Sequence, residues 1–159
     1  MYRYQILVEY VGTKFVGWQK QLKGKSIQKE IENKLSKLLK QKIIIYGSGR
    51  TDAGVHAIEQ SAHFDTKLKI KEIKKLIKSL NFFLNPKKIS IINIYKRKQK
   101  FHARFSAKER VYKYFIINRL AAPTLENERA WHIRKKLDIK LFKEGAKKLI
   151  GSHDFSTMR

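Results

Sequence analysis

The sequence contains no cysteine and only two prolines among its 159 residues. The absence of cysteine excludes disulfide bonds, thiolate nucleophiles and cysteine-ligated zinc, so packing and hydrogen bonding must stabilise the fold. No apolar run approaches the roughly 20 residues that a membrane-spanning helix needs. The N-terminus alternates and carries charge, unlike a signal peptide. We therefore expect a cytoplasmic protein that does not associate with membranes.

Acidic residues are also scarce, with 13 Asp and Glu against 37 Lys and Arg, and the formal net charge is +24. A field of this sign attracts polyanions such as nucleic acids. Most of the basic residues are lysine and isoleucine is abundant, so compositional drift of a genome is an alternative explanation of the charge. The hydrophobic fraction of 42% is sufficient for a folded core.

Hydrophobic periodicity divides the first hundred residues into strands and helices. Alternation from Tyr2 to Tyr10 predicts a strand, and apolar residues at helical spacing follow Ser26, a candidate N-cap. The other predicted elements are strands over 42–46, 57–64 and 88–95 and a helix over 70–80. This order predicts an α+β fold, a ferredoxin-like βαββαβ antiparallel sheet with its helices on one face. The opposite face is expected to be uncovered and available to RNA.

The remaining residues predict the start of a second α+β unit. A strand is expected over 110–118, and a helix over 141–150 follows Asp138 and ends at Gly151. One strand and one helix do not complete a domain. We therefore assign 1–100 to an N-terminal ferredoxin-like domain and 101–159 to the incomplete beginning of a second, similar domain.

A glycine-rich loop, YGSGRTDAGVHA over 46–57, joins two predicted strands and places Asp52 among three glycines, two residues after Arg50. A phosphate-binding loop is disfavoured, because the glycine spacing and the missing Lys-Ser or Lys-Thr pair do not fit. One open interpretation is a structural hairpin with a surface ion pair between Arg50 and Asp52. The other is a catalytic carboxylate presented by a rigid turn, with small neighbours that admit a substrate.

The five histidines show no metal-ligand spacing, so we expect them to pack or to form hydrogen bonds and expect no metal site. Three aromatic residues, Phe15, Trp18 and Phe64, are candidates either for stacking on bases or for the core, and the core is the default.

At the loop the sequence resembles a known family. GRTDAGVHA resembles the signature of the TruA-type tRNA pseudouridine synthases, and six further segments agree in order over essentially the whole chain. They are EYVGTKFVGWQKQ (9–21), SIQKEIE (26–32), HFDT (63–66), NFFLNPKKI (81–89), FHARFSAKERVYKY (101–114) and GSHDFSTMR (151–159).

The resemblance implies isomerisation of uridine to pseudouridine at positions 38, 39 and 40 of the tRNA anticodon stem-loop, with no cofactor or metal. Asp52 matches the family's nucleophile, and attack on the base or on the sugar remains open. Tyr112 matches the tyrosine that packs on the uracil and is a candidate for handling its C5 proton. In that family GWQ lies near the RNA path, which makes Trp18 and Gln19 weaker candidates.

Three arginines complete the expected site. The target base must leave its stack, so Arg50 is expected to fill the vacated space or to hold the adjacent phosphate. Arg104 and Arg110 are expected to contact phosphate or substrate, with plain surface charges as the alternative. Lysine-rich stretches over 67–78 and 96–100 would add attraction that does not depend on sequence.

Members of this family continue past the HDF segment and act as homodimers. We therefore expect this chain to be truncated within its second domain, before an arginine in an MVR-like segment that pairs with the catalytic aspartate. The alternative function is a noncatalytic, basic RNA-binding module of ferredoxin-like fold, which leaves the glycines around Asp52 unexplained.

Overall fold

A computed structural model of the protein describes residues 1–158 and divides the chain into two compact units, Met1–Val111 and Tyr112–Arg159. The division falls at Val111, beyond the boundary expected at residue 100. Arg159, the last residue of the GSHDFSTMR segment, lies outside the described residues. Within the described part of the chain, no helix is both long enough and apolar enough to cross a bilayer.

The first unit is an antiparallel sheet with two helices. Its elements are β1 (Tyr2–Tyr10), α1 (Ile27–Leu39), β2 (Ile45–Gly47), β3 (Ala57–Thr66), α2 (Ile73–Leu84) and β4 (Ile89–Arg97), with short 3₁₀ turns over Gly12–Lys14 and Asn85–Lys87. The strand order is β2-β3-β1-β4, and every pair is antiparallel. The predicted α+β, ferredoxin-like order of elements is confirmed.

The core lies between the sheet and the helices. Every second residue of β1 from Tyr4 to Tyr10 is buried, as alternation requires. Each helix adds buried residues four positions apart: Ile27, Ile31 and Leu35 in α1, and Leu76, Leu80 and Leu84 in α2. Full burial of such a side chain stabilises the fold by about 1.5–3 kcal/mol. The N-cap is also confirmed, because the Ser26 side chain accepts a hydrogen bond from the Lys29 backbone N–H.

The other face of the sheet is partly covered by residues 99–106, here called the strap. Arg3 Nη1 donates hydrogen bonds of 2.7 Å to the carbonyls of Gln99 and Phe101. The Ala103 N–H donates to Nδ1 of His63 over 3.1 Å, and His63 is only 1% exposed. The expectation of an uncovered second face is therefore wrong around His63, because the chain after β4 folds back over the sheet.

The second unit contains a parallel pair of short strands, β5 (Ile116–Asn118) and β6 (Trp131–Ile133), then α3 (Ile139–Lys147) and a 3₁₀ turn over Ser156–Met158. Asp138 caps α3 by accepting from the N–H groups of Lys140 and Leu141. The strand predicted over 110–118 is wrong in extent, because only its last three residues pair with a strand. β6 was not predicted. None of residues 112–157 is buried.

Candidate active site

The glycine-rich loop over residues 48–56, here called the Asp52 loop, connects β2 to β3. Its first residues are held to β3 by two hydrogen bonds. The Ser48 N–H donates to the Ser61 carbonyl over 2.8 Å, and Gln60 Nε2 donates to the Gly49 carbonyl over 2.7 Å. The loop therefore begins as a continuation of the sheet edge.

The rest of the Asp52 loop rests on residues 11–18, here called the supporting segment, which follows β1. The Trp18 N–H donates to the Thr51 carbonyl over 3.0 Å, and the Gly54 N–H donates to the Phe15 carbonyl over 3.4 Å. The hydroxyl of Tyr10, the last residue of β1, is 2.8 Å from Oγ1 of Thr51. The residues on both sides of Asp52 are thus hydrogen-bonded to one piece of chain.

Two glycines permit this close contact. A Cβ atom on Gly12 would lie 2.0 Å from the Val55 carbonyl oxygen, and one on Gly17 would lie 2.4 Å from that of Thr51. Gly17 also has a φ of +107°, which L residues with a side chain rarely adopt. The Gly12 N–H donates to Nδ1 of His56 over 2.9 Å. Any larger residue at 12 or 17 would push the supporting segment away from the loop.

Asp52 is exposed in the middle of this loop. Its carbonyl accepts from the Val55 N–H over 3.3 Å, which closes the turn behind the carboxylate. Across residues 1–158 the Asp52 carboxylate forms no ion pair, so the hairpin with an Arg50–Asp52 ion pair is not what the structure contains. The arrangement leaves a carboxylate on the surface of a loop whose backbone is held from two sides.

The three candidate arginines lie in the first unit, but they are engaged differently. Arg50 and Arg104 are exposed, and the Arg104 guanidinium lies 5.8 Å from the ring centroid of Phe105. The Arg110 guanidinium is hydrogen-bonded to backbone: Nη2 donates to the carbonyls of Ser48 (2.9 Å) and Arg104 (3.2 Å). The side chain of Arg110 thus joins the strap to the start of the Asp52 loop.

The remaining candidate residues lie in different parts of the structure. Tyr112 is the first residue of the second unit and is 66% exposed. Trp18 is 1% exposed, and its ring packs against Gly47 and Tyr10, so a base-stacking role for Trp18 is wrong. Phe15 and Phe64 are likewise core residues. Gln19 is partly exposed.

Under the strap, aromatic and histidine rings surround the buried side chain of His63. The His63 ring stacks on Tyr46 at 5.2 Å and meets His102 edge-on at 4.6 Å. Burial, together with the charge of Arg3 and the neighbouring His102, lowers the pKa of His63 to about 4. Nearby, Arg3 forms a bidentate ion pair with Asp65, and this pair lowers the pKa of the Asp65 carboxyl.

Sequence reasoning missed the residues that hold the Asp52 loop, namely Tyr10, Gly12 and Gly17. A signal was present: two glycines and a tryptophan follow directly after β1, within the EYVGTKFVGWQKQ segment. Their spacing gave no indication of the partner, because the contact joins residues about forty positions apart in sequence.

Comparison with known proteins gives consistent results. A family model described as tRNA pseudouridine synthase matches residues 6–106. The tRNA pseudouridine synthase A of Pelagibacter ubique (strain HTCC1062) is 67% identical over 159 residues, covering 100% of this chain and 65% of the relative. The protein of the same name from Anaplasma phagocytophilum (strain HZ) is 44% identical over 160 residues, covering 99% and 64%. That from Neorickettsia sennetsu is 43% identical over 157 residues, covering 99% and 65%. The chain thus spans about 65% of the length of these curated relatives.

Proposed function

Because this chain belongs to the tRNA pseudouridine synthase family, we propose that the protein isomerises uridine to pseudouridine in tRNA with Asp52 as the nucleophile. The substrate positions are 38, 39 and 40 of the anticodon stem-loop, as the TruA-type signature implies. One observation carries the proposal: the Asp52 carboxylate is exposed, forms no ion pair with any of residues 1–158, and sits on a loop whose neighbouring residues are held by hydrogen bonds.

The reaction needs few protein groups because its atoms stay within one nucleotide. The bond from ribose C1′ to uracil N1 breaks, and a bond from C1′ to C5 forms. The proton on C5 leaves, and N1 gains a proton. The Asp52 carboxylate supplies a transient covalent bond, either to the base or to the sugar, and is released unchanged. No cofactor or metal takes part in this scheme.

The other residues bind and orient the target nucleotide. A uridine in a stem must be extruded before it can react, at a cost of a few kcal/mol in lost stacking. Arg50, two residues before the nucleophile, fills the gap or holds the neighbouring phosphate, and Arg104 contacts phosphate. Tyr112, by its match to the family's tyrosine, packs on the uracil and handles the C5 proton. Arg110 is also expected to contact phosphate or substrate, and its hydrogen bonds to Ser48 and Arg104 leave fewer donors for such a contact.

The binding partner is tRNA, and electrostatic attraction to its phosphate backbone provides much of the binding. The net charge of +24 supports binding to an anionic backbone, and shape recognition suits an enzyme that accepts several neighbouring positions. Following the resemblance, we propose that the full-length protein is a homodimer that works in the cytoplasm.

The nucleophile is tested with full-length protein and anticodon stem-loop RNA that carries tritium at uridine C5. We expect Asp52→Asn and Asp52→Ala to release no tritium, because neither side chain can form the covalent bond, while RNA binding changes by less than about threefold. Glu59→Gln is the control, since it removes an exposed carboxylate from β3 of the same sheet.

Tritium release by Asp52→Ala at the wild-type rate would contradict the assignment. Binding by the wild-type protein without any release would instead support the noncatalytic RNA-binding module.

A further inference from the structure

We propose that Tyr10 is a positioning residue for the nucleophile: its hydroxyl, bonded to Thr51, fixes the backbone that presents Asp52. The proposal rests on the proposed function of Asp52. It concerns a residue of β1 that the sequence pattern marks only as part of the core.

The geometry holds Thr51 at two atoms. Oγ1 of Thr51 lies 2.8 Å from the Tyr10 hydroxyl, and the Thr51 carbonyl accepts from the Trp18 N–H over 3.0 Å. One bond constrains the side chain and the other constrains the peptide that leads into Asp52. Gly17 leaves no free space on the carbonyl side, since even a Cβ there would lie 2.4 Å from that oxygen. Thr51 can therefore move only if one of these contacts breaks.

The Tyr10 hydroxyl is suited to this task because it is buried. Tyr10 is 2% exposed, and its ring packs against Trp18 with centroids 5.9 Å apart. Burial raises the pKa of Tyr10, so the hydroxyl stays neutral and can donate or accept. A phenylalanine at position 10 would keep the ring contacts and lose only the bond to Thr51.

Small displacements of a nucleophile are costly. Reacting groups must be held within about 0.5 Å of the productive geometry, and a 1 Å misplacement can lower the rate by about a hundredfold. Asp52 has no ion pair of its own among residues 1–158, so its position depends on the backbone on either side. The residue directly before it is the one that Tyr10 holds.

The chain offers a matched control on the same strand. Tyr4 is 1% exposed, and its hydroxyl accepts a hydrogen bond of 2.9 Å from the Ile70 N–H, in the connection before α2. Tyr4→Phe therefore removes a buried tyrosine hydroxyl and one hydrogen bond, as Tyr10→Phe does, but outside the Asp52 loop. A purely structural effect would be shared by both variants.

The kinetic experiment measures C5 tritium release by full-length protein at saturating and limiting RNA. We expect Tyr10→Phe to lower kcat about tenfold with KM changed less than twofold, because only the geometry of the nucleophile is altered. Thr51→Val should do the same, the double variant should lose little more than either single variant, and Thr51→Ser should keep most of the activity. Equal kcat values for Tyr10→Phe and Tyr4→Phe would overturn the proposal.

A second measurement does not depend on turnover. Backbone order parameters from NMR relaxation report the rigidity of the Asp52 N–H, and we expect about 0.85 in the wild type and in Tyr4→Phe but a clear drop toward 0.6 in Tyr10→Phe. An unchanged value in Tyr10→Phe would overturn the proposal. If the wild type releases no tritium, the proposed function fails, and the relaxation data still decide whether Tyr10 orders the loop.

Discussion

Burial by the strap sets the protonation state of His63. His63 lies on the sheet face opposite the helices, where a histidine would ordinarily meet water, yet the strap buries it. Its Nδ1 accepts the Ala103 N–H, an interaction that only the neutral ring can make. The positive charge of Arg3, together with His102, disfavours a protonated His63 ring. The negative charge of Asp65 offsets this effect only in part. The strap is therefore compatible with neutral His63 and destabilised by its protonation.

This gives a pH dependence of stability with a defined sign. Burial holds the pKa of His63 at about 4 in the folded protein, against the ordinary histidine value of 6.5. The unfolded chain thus binds a proton more readily, so stability is full above about pH 6.5 and falls as the pH drops toward 4, by about 3 kcal/mol in total. Urea denaturation of the whole chain between pH 4 and 7.5 measures it.

His63→Gln should be less stable at pH 7.5 but should lose less on acidification. His153→Gln, at an exposed histidine, should keep the wild-type profile. If the His63→Gln and wild-type curves fall in parallel, the assignment to His63 is wrong.

Among the elements, the Asp52 loop is ordered by another loop and not by its own sequence. Its glycines allow the turn, but the contacts that hold Thr51 and Val55 come from the supporting segment after β1. β1 is one of the two inner strands and pairs with both β3 and β4, so the segment starts from a strand that is hydrogen-bonded on both sides. The Asp52 loop is thereby tied to an inner strand of the first unit.

The fit between the two loops is tested at Gly12. We expect Gly12→Ala to lower the free energy of unfolding by about 3 kcal/mol, because its Cβ would collide with the Val55 carbonyl and backbone cannot rotate away as a side chain can. Gly54→Ala is the control within the Asp52 loop: its φ is +79° but nothing lies within 4 Å, so only the backbone strain of about 1 kcal/mol should appear. Equal losses in urea denaturation would show that the contact at Gly12 is unimportant.

At the scale of the whole molecule, burial is confined to one unit. Every buried side chain among residues 1–157 lies in the first unit, and none of residues 112–157 is buried. Many large apolar side chains of the second unit are exposed, including Leu125 at 92% and Ile150 at 77%. The hydrophobic contribution to stability therefore comes mainly from the first unit.

It follows that residues 1–111 should fold without the rest. We expect the isolated segment 1–111 to unfold in one cooperative thermal transition within about 5 °C of the main transition of the whole chain, because it retains the complete core. The control is 1–97, which ends with β4 and lacks the strap. It should unfold at a clearly lower temperature, since Arg3 and His63 lose their backbone partners. A disordered 1–111 segment would contradict this account of the core.

Much of the secondary structure of the first unit could be predicted from hydrophobic periodicity. In a half-buried strand about every second residue is apolar, and in an amphipathic helix the apolar residues recur three or four positions apart. The N-cap Ser26 was also predictable, because a capping side chain lies directly before the helix that it caps. The strand expected over 110–118 was overextended, since alternation alone does not supply a partner. The prediction of an uncovered sheet face was wrong around His63. Whether a connection folds back over a sheet depends on contacts between residues distant in sequence, such as the hydrogen bond from Arg3 to Gln99.

The sequence by itself determined the order of the elements, the strong positive charge and the loop that carries Asp52, because each is written in neighbouring residues. Only the tertiary structure decided which residues hold that loop, where the strap lies and that Trp18 is core and not a stacking surface. These depend on pairs such as Tyr10 with Thr51 and Gly12 with Val55. Such pairs meet only after the chain has folded, and no local pattern of hydrophobicity or charge encodes the distance between them.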